Sequence, residues 1–179
     1  GSFNNAFGRS ALSSNTTGSQ NTALGYAALF DNTGNTNVAV GNWALENNTT
    51  GSQNVGVGNS ALGANTTGVQ NTAIGALALD AATTASYNTA VGRGALSSNT
   101  TGAQNIAIGV NSLVLNTTGT DNTSVGTNAL DANTTGGNNT ALGRSALGAN
   151  TTASNNTAVG YNAADALTTG DLNVAIGVN

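Results

Sequence analysis

Asparagine, a variable residue, a small residue, a large apolar residue and glycine follow one another in fixed order, and the group returns along the whole chain. With the glycine as position 0, the copies centre on Gly8, Gly25, Gly41, Gly58, Gly75, Gly92, Gly109, Gly126, Gly143, Gly160 and Gly177. Each step is 17 residues, apart from one of 16 between Gly25 and Gly41. Position −1 is always large and apolar (Val40, Ile74, Ile108), −2 is small, and +4 is Leu from Leu12 to Leu147. The alternation from −4 to −1, with frequent β-branched residues at −3 and −1, predicts a short strand. Glycine then turns the chain, and the Ala-Leu pair at +3 and +4 is expected to form a second short strand or extended side. Asn-Thr-Thr-Gly, as at 48–51 and 116–119, turns it again. Threonine, asparagine and glycine fill too much of each unit for a helix.

Two sides and two turns per unit describe one coil of an all-β parallel β-solenoid, and a fixed period of this length marks a repeat architecture. Residues 1–179 form a single array of about ten and a half coils by this reading. Coils stacked about 4.8 Å apart would pile equivalent residues into columns and give a rod roughly 48 Å long. The −1 and +4 columns are expected to face inward. The −4 residues Asn21, Asn37, Asn54, Asn71, Asn88, Asn105, Asn122, Asn139 and Asn156 are expected to form an amide ladder. The small −2 column is the expected place for close approach between copies. The shortened step loses one Thr at Asn32-Thr33-Gly34, which assigns that turn to the edge of the coil. Neither end carries a polar cap, so the array reads as a segment of a longer fibre or a subunit that stacks end to end.

Composition removes several function classes. Three arginines, no lysine and seven acids give a net charge of −4, with no basic stripe for nucleic acid. Without histidine or cysteine, the usual zinc sites and the Ser-His and Cys-His nucleophile pairs have no residues to build them. No cofactor, no metal and no enzymatic activity is expected. No apolar run is long enough to span a bilayer, so no membrane insertion is expected. The absence of proline and the fixed phase of the apolar residues argue against a disordered tract.

The variable residues are the candidates for contact. Arg9, Tyr26, Arg93, Arg144 and Tyr161 all occupy +1, with Asn42, Asn59 and Thr127, which marks an outward column. Trp43, at +2, joins them as a residue able to stack on a sugar ring or a partner chain. Among the acids at +5 and +6, only Asp31 and Glu46 fall in neighbouring coils, where a surface contact is the expected account, and no close catalytic carboxylate pair is expected. Sequons such as Asn15-Thr16-Thr17 and Asn116-Thr117-Thr118 place candidate glycans at turns, although Asn and Thr are already explained there by the turns themselves.

The strand motifs Asn37-Val-Ala-Val-Gly41, Asn105-Ile-Ala-Ile-Gly109 and Asn173-Val-Ala-Ile-Gly177 resemble the repeats of trimeric autotransporter adhesin heads. The longer unit at 139–152 resembles repeats of phage tail fibres and bacterial surface fibres. The resemblance implies a left-handed β-roll, homotrimeric assembly and an extracellular place on a cell surface or virion. It also implies a role as a stiff adhesive or structural fibre segment with a glycan or protein receptor. A self-polymerising surface filament is the alternative. Ice binding by stacked Thr columns is a third class, and the adjacent Thr-Thr pair counts against it, since a strand turns only one of two neighbours outward.

Overall fold

The structure is a computed structural model describing residues 1–179. Eleven three-residue strands, from β1 (Asn5–Phe7), β2 (Thr22–Leu24) and β3 (Val38–Val40) to β11 (Val174–Ile176), form one parallel sheet in sequence order. Every pairing keeps the repeat phase: Ala6 faces Ala23, Ala23 faces Ala39, and Ala158 faces Ala175. The 16-residue step leaves this register intact, with β2 and β3 paired residue for residue. The chain is therefore a β-solenoid with one strand per coil.

Side-chain parity decides what each strand buries. Alternate residues of a strand point to opposite faces. Ala39, Ala73, Ala90, Ala107, Ala141 and Ala158, all at −2, are fully buried, and so are the −4 asparagines from Asn21 to Asn122 apart from a trace at Asn88. Positions −3 and −1 share the other parity and face out: Leu24, Ile74, Ile108 and Leu142 are 44%, 42%, 40% and 48% exposed. The expectation that the −1 column packs inward is thus corrected. So is the assignment of the −2 column to contact between copies, because those residues line the interior of the coil.

No second strand forms on the Ala-Leu side. There +2 and +4 adopt left-handed backbone conformations, as in Leu77 (φ 60°) and Leu79 (φ 52°), and the chain folds back as a tight ridge. Such a conformation costs a leucine about 1–2 kcal/mol. Two gains offset it. The leucines from Leu29 to Leu147 are completely buried, each worth about 1.5–3 kcal/mol. Their N–H groups also donate to the next coil, as from Leu79 to the Ala95 carbonyl and from Leu96 to the Ser112 carbonyl, both 3.0 Å. Of 114 backbone hydrogen bonds only 20 lie within the strands, so the turns carry most of the coil-to-coil bonding.

The interior is narrow. One leucine, an alanine or serine at +3, a small residue at −2 and two asparagines fill each regular coil. The glycine at position 0 leads out of the strand with φ between 131° and 141°, and it stacks on the glycine of the next coil. A Cβ built on Gly75 would lie 2.6 Å from the Gly92 carbonyl carbon, so no other residue fits this column.

Candidate functional surfaces

Two asparagine columns organise the interior, and both are made of fully or almost fully buried amides. In the −4 column each Oδ1 accepts the backbone N–H of the next asparagine: Asn37 donates to Asn21 at 2.9 Å, Asn54 to Asn37 at 2.9 Å, and Asn122 to Asn105 at 3.0 Å. Direct amide-to-amide contacts in this column are longer, at 3.2 Å from Asn88 to Asn71. The second column is Asn32, Asn48, Asn65, Asn99, Asn116, Asn133 and Asn150, at the head of the Asn-Thr-Thr-Gly turn. Here the amides pair directly, with Nδ2 of Asn48 donating to Oδ1 of Asn32 at 2.6 Å and Asn133 to Asn116 at 2.9 Å.

The two columns converge on one carbonyl per coil. Gly51 O accepts Nδ2 of Asn37 at 2.9 Å and of Asn48 at 2.8 Å; Gly119 O accepts from Asn105 at 2.8 Å and Asn116 at 3.0 Å. A buried amide left without partners costs about 1–3 kcal/mol, so this closure is what permits so polar an interior. The turn was expected at the edge, yet its asparagine is core. Only the two threonines reach the rim: the first hydroxyl donates to the next coil (Thr117 to the Thr134 carbonyl, 3.0 Å), and the second residue, as in Thr118 and Thr135, is exposed. The sequon asparagines Asn48, Asn65 and Asn116 are correspondingly buried and engaged, with no free amide for a glycan.

The outer face of the sheet is the largest regular surface. Its −1 column is apolar from Phe7 to Ile176, and after Asn5 its −3 column mixes threonine with Val38, Val55, Ile106 and Val174. No charged side chain occupies either column. Beside it, the +1 residues Arg9, Tyr26, Arg93, Arg144 and Tyr161 are all exposed, as is Trp43 at +2. The Arg9 guanidinium lies 5.9 Å from the Tyr26 ring centre, and Arg144 lies 5.8 Å from that of Tyr161. Tyr26 in turn meets Trp43 edge-on, with ring centres 5.8 Å apart at 85°.

The acids are dispersed. Asp31 and Glu46 sit in adjacent coils, joined through the Asp31 N–H and the Glu46 carbonyl at 3.1 Å. Burial raises the carboxyls of Asp80 and Asp131 above the ordinary 3.8, against backbone N–H groups that lower them. No group of three metal-ligating side chains is assembled, and no helix is long and apolar enough to cross a membrane. The only concavities open on the first two coils and the last two, along Asn4–Phe7 and around Val174–Asn179. Comparison with known families, curated proteins and solved structures finds no match to this chain.

Sequence reasoning missed the second asparagine ladder. The signal was present, since an asparagine heads the turn in eight of the first nine coils, from Asn15 to Asn150, with Ala82 the exception. A turn residue needs no such constancy on a solvated edge.

Proposed function

We propose that this chain is a non-enzymatic extracellular fibre segment, of the adhesin-head or tail-fibre-shaft kind, whose exposed sheet face is covered by further copies of itself. The observation that carries the reading is the unbroken outward apolar column on a rigid, in-register sheet. With a length near 48 Å and a width near 10 Å, the face covers about 500 Å², at the upper end of what monomers expose. That is below the roughly 800 Å² per partner of a standard-size interface, which places the contact at the small end of the range and leaves the flanking +1 column free. The coil-to-coil hydrogen bonds make a stiff rod, and identical coils would present any contact residue several times over.

Light scattering on the purified chain tests this. A mass that is a multiple of 17.3 kDa is expected, with three copies the multiple that the family resemblance favours. The paired change Ile74→Glu and Ile108→Glu should return the mass to one chain without altering the far-ultraviolet circular dichroism. A wild-type chain that is monomeric at high concentration would overturn the self-association. Electron microscopy separates the filament alternative, which requires long continuous filaments in place of short discrete rods.

A further inference from the structure

The three arginines all occupy the same outward column, but their surroundings differ. Arg9 and Arg144 each lie across a tyrosine ring of the following coil, Tyr26 and Tyr161. Arg93 has Ala76 and Val110 as its +1 neighbours in the coils on either side. Only the first pair continues into a third aromatic, Trp43, so that Arg9, Tyr26 and Trp43 follow one another through three successive coils. Tyr26 is 41% exposed and Trp43 40%, each enough to leave part of a ring open to solvent.

We propose that Arg9, Tyr26 and Trp43 form a binding site for an acidic saccharide, a glycan carrying hexuronate carboxylates, and that Arg144 with Tyr161 repeats half of it. A guanidinium lying on a ring keeps its N–H edge free, and that edge matches a carboxylate in a two-point contact. Exposed tyrosine and tryptophan offer an apolar ring face with a polar rim, the complement of a pyranose whose C–H groups lie on one side. Two coil steps span about 10 Å, the length of a disaccharide, so one sugar can rest on an aromatic while its neighbour's carboxylate meets Arg9. The cation–π contact with Tyr26, 5.9 Å from the ring centre, orients the arginine beforehand, which lowers the ordering cost of capture. The carboxylates of the same coils, Asp31 and Glu46, stand further round the turn at +6 and +5.

Trp43 is the only tryptophan, so its emission reports on this site alone. Titration with an oligogalacturonate should shift that emission saturably. Arg9→Gln should weaken binding about tenfold, the loss of one charge-assisted contact. The neutral methyl ester of the same oligosaccharide should be weaker by a similar factor, whereas Arg93→Gln should bind as wild type. Circular dichroism of each exposed-site variant confirms that it is folded, and light scattering on the same samples reads self-association separately. No saturable shift with the uronate oligomer would overturn the site. So would equal affinity for the ester, or an Arg93→Gln loss matching that of Arg9→Gln, which would report net charge alone.

Discussion

The Oδ1 of Asn65 is buried without a hydrogen-bond donor, and the residue one coil further on in its column is Ala82. For every other asparagine from Asn32 to Asn133 the next one supplies that donor, as Asn65 does for Asn48 at 2.6 Å. The ladder is directional, each amide giving to the coil before it, so one alanine orphans the oxygen ahead of the gap. The same happens where Leu167 follows Asn150, whose Oδ1 is also unpaired. Ala82→Asn should therefore stabilise the chain by about 1–2 kcal/mol, as one buried acceptor gains its partner and the Ala85 carbonyl its second donor. Urea denaturation followed by circular dichroism reads the shift. An unchanged midpoint would show that water already satisfies Asn65 in the gap.

The position-0 glycine column should tolerate nothing larger. Gly75 has φ 135°, and a Cβ there would meet the Gly92 carbonyl carbon at 2.6 Å. Gly75→Ala must push two coils apart and is expected to abolish the cooperative thermal transition. Gly63→Ala is the control, since its Cβ would lie 3.3 Å from the nearest atom, the Ser60 carbonyl oxygen. Its melting temperature should stay within a few degrees of wild type.

Ser112 and Ser124 replace two alanines of the regular core and compensate each other. The Ser112 hydroxyl donates to Ser124 Oγ at 2.7 Å, and the Ser124 hydroxyl donates to the Ala129 carbonyl at 2.9 Å. Either serine changed alone to alanine should cost about 0.5–1.5 kcal/mol. The double variant restores the pair found in the other coils, and its stability should return to near wild type. A double-mutant cycle by denaturant titration measures the coupling, and simple additivity of the two losses would refute it.

Asp80 and Asp131 should make the fold less stable as pH rises. Desolvation raises both folded-state values above 3.8, so the folded chain holds these protons more tightly than the unfolded chain. Their contribution is intact below about pH 3.8 and is lost as pH climbs through the raised folded values. Replacing both by asparagine should flatten the fall in thermal midpoint as pH rises above about 3.8. An equally steep fall in the double variant would place the dependence elsewhere.

The period, the strand positions and the single architecture were legible from the spacing of glycine, asparagine and leucine alone. A repeat whose phase survives a one-residue loss between Gly25 and Gly41 has to stack in register, and the sheet from β1 to β11 does. Composition likewise left no histidine or cysteine with which to build common catalytic centres. Which parity of the strand faces inward was settled only by the closed coil. Period two says that Ile74 and Thr72 share a face, and it is silent on whether that face is core. The coil has room for Leu79, the alanines and two asparagines, whose amides must lie inside to close on the Gly and Ala carbonyls. That leaves the Val, Ile and Leu column outside, on the surface where the arginine and aromatic residues also gather, and turns an expected core into an exposed face.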